Sequence, residues 1–200
     1  MSITLWNGTL PPVDEREVLR YMRCKEATDA VSDMLQETLQ EAAPLLSMRL
    51  CYRRLPVTYS ETGVEIGGFP FASVDLLKAL DGASEVICLA ATAGLALDRY
   101  IARYGHISPA RALTAQSIGT ERVEALCDAF VADMNATLAE SGLRLRPRFS
   151  PGYGDLPLDT QRALFALLSP EKHIGITLTR ELLMSPTKSV TAIAGIEVIK

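Results

Sequence analysis

Apolar residues recur every three or four positions through residues 14–43, at Ala27, Val31, Met34, Leu35, Leu39 and Ala42, with acidic and polar residues between them. That period predicts a helix, which Pro44 ends. Residues 50–59 and Val64–Ile66 read instead as two strands, joined across Glu61, Thr62 and Gly63, where the glycine supplies the positive φ of a tight reversal. Ser73 is placed to cap a short helix running to Leu80. Residues 85–91 (EVICLAA) form an unbroken apolar run, the mark of a strand buried on both faces, and pass through Thr92, Ala93 and Gly94 into a helix over residues 95–104. Ser108 and Pro109 open another helix that extends to Glu140, with Val123, Leu126, Phe130, Met134 and Leu138 as its apolar stripe; Gly142 stops it.

Further on, Leu143 and Leu145 alternate with Arg144 and Arg146 in strand fashion, and residues 150–157 (SPGYGDLP) can only be a loop. Asp159 is expected to cap a helix to Leu168, which Pro170 breaks. Ile174, Ile176 and Leu178 then alternate as a strand, and Ser189–Val198 forms a last one. Helices and strands mixed without a regular βαβα alternation point to an α+β fold, a largely antiparallel twisted sheet with flanking helices, expected as a single domain over residues 1–200.

A chain of 200 residues with 48% hydrophobic and 22% charged content can bury one ordinary core. Its formal net charge of −4, without any run of five like charges, argues against nucleic acid as a partner, because binding the phosphate backbone needs grouped Lys and Arg. The N-terminus lacks a basic start followed by a long apolar run, and no stretch is apolar enough for a membrane span, so the chain is expected in the cytoplasm and off the membrane. Cys24, Cys51, Cys88 and Cys127 are widely scattered and read as buried free thiols rather than as a metal site or disulfide framework.

The usual catalytic signatures are missing. Two histidines, His106 and His173, and no G-x-S-x-G elbow leave a serine hydrolase nothing to stand on, and there is no P-loop, zinc H-E-x-x-H or G-x-G-x-x-G. No catalytic side chain and no metal ligand is assigned. The small-residue turn Ala90-Ala91-Thr92-Ala93-Gly94 fits either a ligand-approach loop or a close-packed strand-to-helix corner.

The richest segment is Arg144 to Tyr153. Continued strand alternation would put Arg144, Arg146 and Arg148 on one face, three guanidinium groups suited to holding a carboxylate. Pro151 stiffens the backbone behind them, Gly152 leaves room for a ligand against bare main chain, and Tyr153 adds an aromatic face with a hydroxyl. The same residues also fit a solvated edge strand running into a Pro-Gly turn.

This stretch resembles the R-x-x-x-G-Y motif of the activation domain of cobalamin-dependent methionine synthase, here Arg148, Gly152 and Tyr153 with Pro151 in place. Downstream, Glu171-Lys172-His173-Ile174-Gly175 through Leu178-Thr179, then Met184, Pro186, Ser189 and Val190, are similar to a second block of that domain. Arg180 departs from it, standing where the family has a glutamate, and Glu140 is only a loose stand-in for the acidic residue expected before the arginine motif.

The resemblance implies an S-adenosylmethionine site in which Arg148 holds the methionyl carboxylate, main-chain groups around Ser150, Pro151 and Gly152 meet the ligand, and Tyr153 lines it. It further implies a cobalamin carried by a partner, a corrinoid-binding methyltransferase such as a split methionine synthase, with a flavodoxin-like or other reductase supplying the electron for reductive methylation. The chain itself lacks the D-x-H-x-x-G signature of cobalamin-binding domains. A strong metal nucleophile attacking a sulfonium methyl needs alignment more than proton transfer, which suits a site without a base. Two other readings stay open: a non-catalytic interaction module docking on a corrinoid protein or its reductase, and an unrelated small-molecule enzyme using the arginine face.

Overall fold

The computed structural model describes residues 2–199. In chain order its elements are β1 (Thr4–Trp6), α1 (Glu15–Tyr21), α2 (Asp29–Ala42), β2 (Arg49–Tyr59), β3 (Val64–Ile66), β4 (Phe69–Phe71), α3 (Val74–Leu80), β5 (Glu85–Thr92), α4 (Leu95–Ile107) and α5 (Pro109–Ala139). They continue with β6 (Leu143–Leu145), α6 (Gln161–Leu168), α7 (Pro170–His173), β7 (Thr177–Leu178), β8 (Met184–Ser185) and β9 (Ser189–Val198).

The fold is α+β, and every strand pair is antiparallel. The sheet runs β4-β3-β2-β5-β9-β6, with β1 also against β2. The unbroken apolar run becomes the central strand β5 because side chains alternate between two covered faces. Val86, Cys88 and Ala90 join Leu76 and Leu80 of α3 and Leu164, Phe165, Leu167 and Leu168 of α6 on one side. Ile87, Leu89 and Ala91 meet Val123, Leu126, Cys127 and Phe130 of α5 on the other. The stripe read from α5 is thus its sheet-facing side, and Phe130, fully buried, takes Trp6 edge-on and packs against Tyr52.

Four local expectations are corrected. Gly63 does not take a positive φ. The stretch 14–43 is two helices rather than one: α1 ends at Met22, Arg23 turns left-handed at φ 57°, and α2 restarts after Thr28. Asp14, not predicted as a cap, accepts from the backbone N–H groups of Arg16 and Glu17. Ile174 and Ile176 are buried but outside any strand; α7 and the left-handed Gly175 (φ 75°) turn both into the core. Asp159 lies in a 3-10 turn and caps nothing; α6 begins after Thr160 without a side-chain cap. Ser73 does cap α3, accepting from Leu76 N–H at 2.9 Å. Of the thiols, Cys51, Cys88 and Cys127 are buried, and burial pushes each up to about 12, whereas Cys24 is only half-buried.

Candidate functional site

After Arg146, whose N–H donates to the Gly195 carbonyl (2.8 Å), the chain leaves the sheet. Pro147 has no N–H to offer a ladder, and only Phe149 regains β9, exchanging backbone hydrogen bonds of 2.8 Å with Ile193. The segment 150–157 then folds on itself: Tyr153 N–H donates to Ser150 C=O (3.2 Å), Gly152 N–H to Leu156 C=O (2.9 Å) and Leu156 N–H to Tyr153 C=O (3.0 Å). Gly152 sits at φ 89°, a conformation that only glycine adopts without strain. The bend is fastened from outside by Asp155, whose carboxylate accepts from Val74 N–H (2.8 Å), Asp75 N–H (3.1 Å) and the Ser73 hydroxyl at the start of α3. The Ser73 hydroxyl bond first, and those two N–H bonds after it, hold the Asp155 carboxyl below its ordinary range.

This anchored bend forms one wall of a cavity of about 770 Å³, in the size range of small-molecule sites. Arg148, Ser150, Pro151 and Tyr153 line it, with Tyr153 on the rim at 68% exposed. Gly152 does not line it and serves the turn behind. A second wall is α5, through Glu124 and Asp128; a third is α6 with Gln161; the floor includes Ser189, Val190 and Thr191 of β9. There β9 pairs with β5 on one edge, while β6 reaches only Ile196 to Val198. The outward backbone groups of this stretch of β9 therefore have no strand beside them among the described residues.

Arg148 is 81% buried at its side chain, and its Nη2 donates to Asp128 Oδ1 (2.7 Å) and Glu124 Oε2 (3.1 Å). Burial alone would lower this guanidinium; Glu124 and Asp128 help outweigh it, and the net shift is upward. Nε and Nη1 make no hydrogen bond with any described residue. The cation is thus fixed in place by two acids while part of its donor fork stays uncommitted.

The expected row of three arginines does not form. Arg144 and Arg146 share Glu197, and Arg146 also reaches Asp81 and the Ala79 carbonyl, so their charges are spent on the sheet edge and α3. Glu140 is exposed, and the acids beside Arg148 come instead from α5. Glu124 and Asp128 stand four positions apart on one helical face, a spacing visible in the sequence. The Ala90 to Gly94 corner is filled: a Cβ on Gly94 would meet Ser47 Cβ at 2.7 Å, and Ala93 exchanges backbone bonds with Ser47 and Lys188. His173 closes α7 at the surface.

A family model described as the activation domain of vitamin B12 dependent methionine synthase matches residues 75–197, which include the bend, Arg148 and its two acids. The chain belongs to this family. Among solved structures it is similar to the MetH reactivation domain bound to AdoHcy, at 13% identity and a TM-score of 0.72, covering 98% of this chain and 78% of that one. At that identity the likeness speaks for the fold, which is that of the activation domain. No curated protein sequence matches the chain. The cavity lies wholly within the family match, whereas β1, α1, α2 and β2 to β4 precede it.

Proposed function

We propose that this chain, acting as a single activation domain, binds S-adenosylmethionine in the cavity and presents its sulfonium methyl to a corrinoid carried by a partner methyltransferase. The reading rests above all on the half-committed fork of Arg148 inside a cavity of about 770 Å³. Its Nη1 takes an oxygen of the methionyl carboxylate, while Glu124 and Asp128, held beside it, receive the α-ammonium group. Main-chain groups at Ser150 and Pro151 and at the open edge of β9 meet the rest of the ligand. Tyr153, on the rim, lays its ring against the sulfonium side, where a π face favours positive charge.

The partner's corrinoid, reduced by one electron from a flavodoxin-like or other reductase, supplies the nucleophile that takes the methyl group and leaves S-adenosylhomocysteine. This chain moves no proton; its part is to hold the ligand in one pose, and orientation alone can contribute several kcal/mol to such a displacement.

Titration calorimetry with S-adenosylmethionine and S-adenosylhomocysteine tests the reading, with saturable binding by the natural chain and binding weaker by roughly thirty-fold or more in Arg148→Ala expected. One observation favours a second reading: Arg148 is already neutralised by its own acids. An intact chain that binds neither nucleoside but still associates with a corrinoid protein would make it an interaction module.

A further inference from the structure

Gln161 opens α6 and is 94% buried, yet its Oε1 makes no hydrogen bond; among the described residues no other buried side-chain oxygen or nitrogen is left so. An enclosed carbonyl without a donor is costly in a folded protein, and this one stands on a helix whose other inward residues, Leu164, Phe165, Leu167 and Leu168, are apolar. The residue is also one of those lining the cavity. Its neighbour Arg162 donates to the Arg180 carbonyl (3.3 Å), tying the start of α6 to the β7–β8 hairpin, whose Met184 lines the same cavity. Arg148 belongs to a different wall, held by α5 and lying next to Phe149, which pairs with Ile193 of β9. The acids of α5 that hold Arg148 and the Gln161 amide of α6 thus belong to different walls of the site.

We infer that Gln161 reads the base of the bound nucleoside and sets a preference for a 6-aminopurine. This rests on the proposed function. The ligand's charged end calls for the arginine and its acids, leaving an uncharged end for an uncharged amide. A carboxamide presents an acceptor and a donor side by side in one plane, which matches the 6-amino group and adjacent ring nitrogen of adenine; a ribose diol is more commonly met by a carboxylate. With Oε1 held in its enclosed position, the oxygen accepts from the 6-amino hydrogen while Nε2 donates to the ring nitrogen.

The test compares S-adenosylhomocysteine with S-inosylhomocysteine, in which a 6-oxo group and an N1–H reverse the pattern, on the natural chain, Gln161→Leu and Gln161→Met. Thermal melts establish that the variants are folded, and the unbranched Met variant serves if Leu packs badly. The natural chain should favour the adenosyl ligand by roughly ten- to a hundred-fold. Either folded variant should lose most of that preference, mainly through weaker adenosyl binding. An undiminished preference in the folded variants, or none in the natural chain, overturns the role of Gln161 while leaving the nucleoside site standing. A natural chain that binds neither ligand overturns the functional reading, and this inference with it.

Discussion

Replacing Arg148 by alanine separates binding from folding, because its environment assigns different magnitudes to each. For stability, Arg148 is 19% exposed, but its partners Glu124 and Asp128 are 39% and 72% exposed, so they rehydrate when the cation goes. The loss should be about 1 kcal/mol, or a melting point lower by about 2 to 4 °C for a chain of this size. For binding, the ligand carboxylate loses a charge-assisted pair worth about 2 to 3 kcal/mol, which is roughly a thirty- to 150-fold weaker Kd. Calorimetry with S-adenosylhomocysteine should show this loss, whereas 5′-methylthioadenosine, which has no amino-acid end, should bind both proteins alike. Arg144→Ala is the control: that side chain is 58% exposed, pairs with Glu197 outside the cavity, and should leave Kd within about two-fold. Equal weakening of both ligands would mean that Arg148 only shapes the cavity. No weakening at all would refute its contact with the carboxylate.

Asp155→Ala should cost about 1 to 2 kcal/mol in urea denaturation, because it deprives the start of α3 of its acceptor, and should weaken nucleoside binding by releasing the bend. Asp155, Glu41 and Glu197 are all held below their ordinary range, by hydrogen bonds from Ser73, Tyr100 and Arg144 first of all. Their stabilisation is therefore complete above the unfolded carboxylate pKa and lost as pH falls through the lower folded values; the urea midpoint should hold near neutrality and drop below about pH 4. A midpoint flat into stronger acid would contradict that sign. Under native conditions near pH 8 a thiol reagent should modify Cys24 quickly and leave Cys51, Cys88 and Cys127 until the chain unfolds, since burial keeps these three protonated.

The fold was legible wherever the local pattern and the tertiary environment agree. β5 could be read because a strand covered on both faces is apolar throughout, and α5 because one long stripe meets one sheet face. The break between α1 and α2 could not, since residues 22–28 contain neither Pro nor Gly. It arises because Val18 and Leu35 both pack against Ile118, and two segments reach one point on α5 only if the chain folds back between them. Ile174 and Ile176 imitated a strand for a similar reason: two apolar residues two positions apart fit an extended chain, but a left-handed glycine between them buries both without a ladder. Asp159 had the right local position for a cap, while the acid that caps is Asp155, about eighty residues from the helix it serves.

At the site, the bend and Arg148 belong to one short segment and could be read together, whereas Glu124, Asp128 and Gln161 are brought in by α5 and α6 and have no local signature beyond helical spacing. The acids change the meaning of the arginine. Alone it would be a receptor for any anion; with two carboxylates on its Nη2, the cluster carries a net charge of about −1, counting one guanidinium and two carboxylates near neutral pH. On the proposed reading that is the complement of S-adenosylmethionine, whose carboxylate, ammonium and sulfonium sum to +1, and not of S-adenosylhomocysteine, which is neutral overall. Because Asp128 is largely exposed, solvent screens much of this difference, so it biases the site without dominating it. Methyl transfer removes the ligand's excess charge and leaves the acids less compensated than before. The arrangement that favours the methyl donor therefore favours departure of the spent nucleoside.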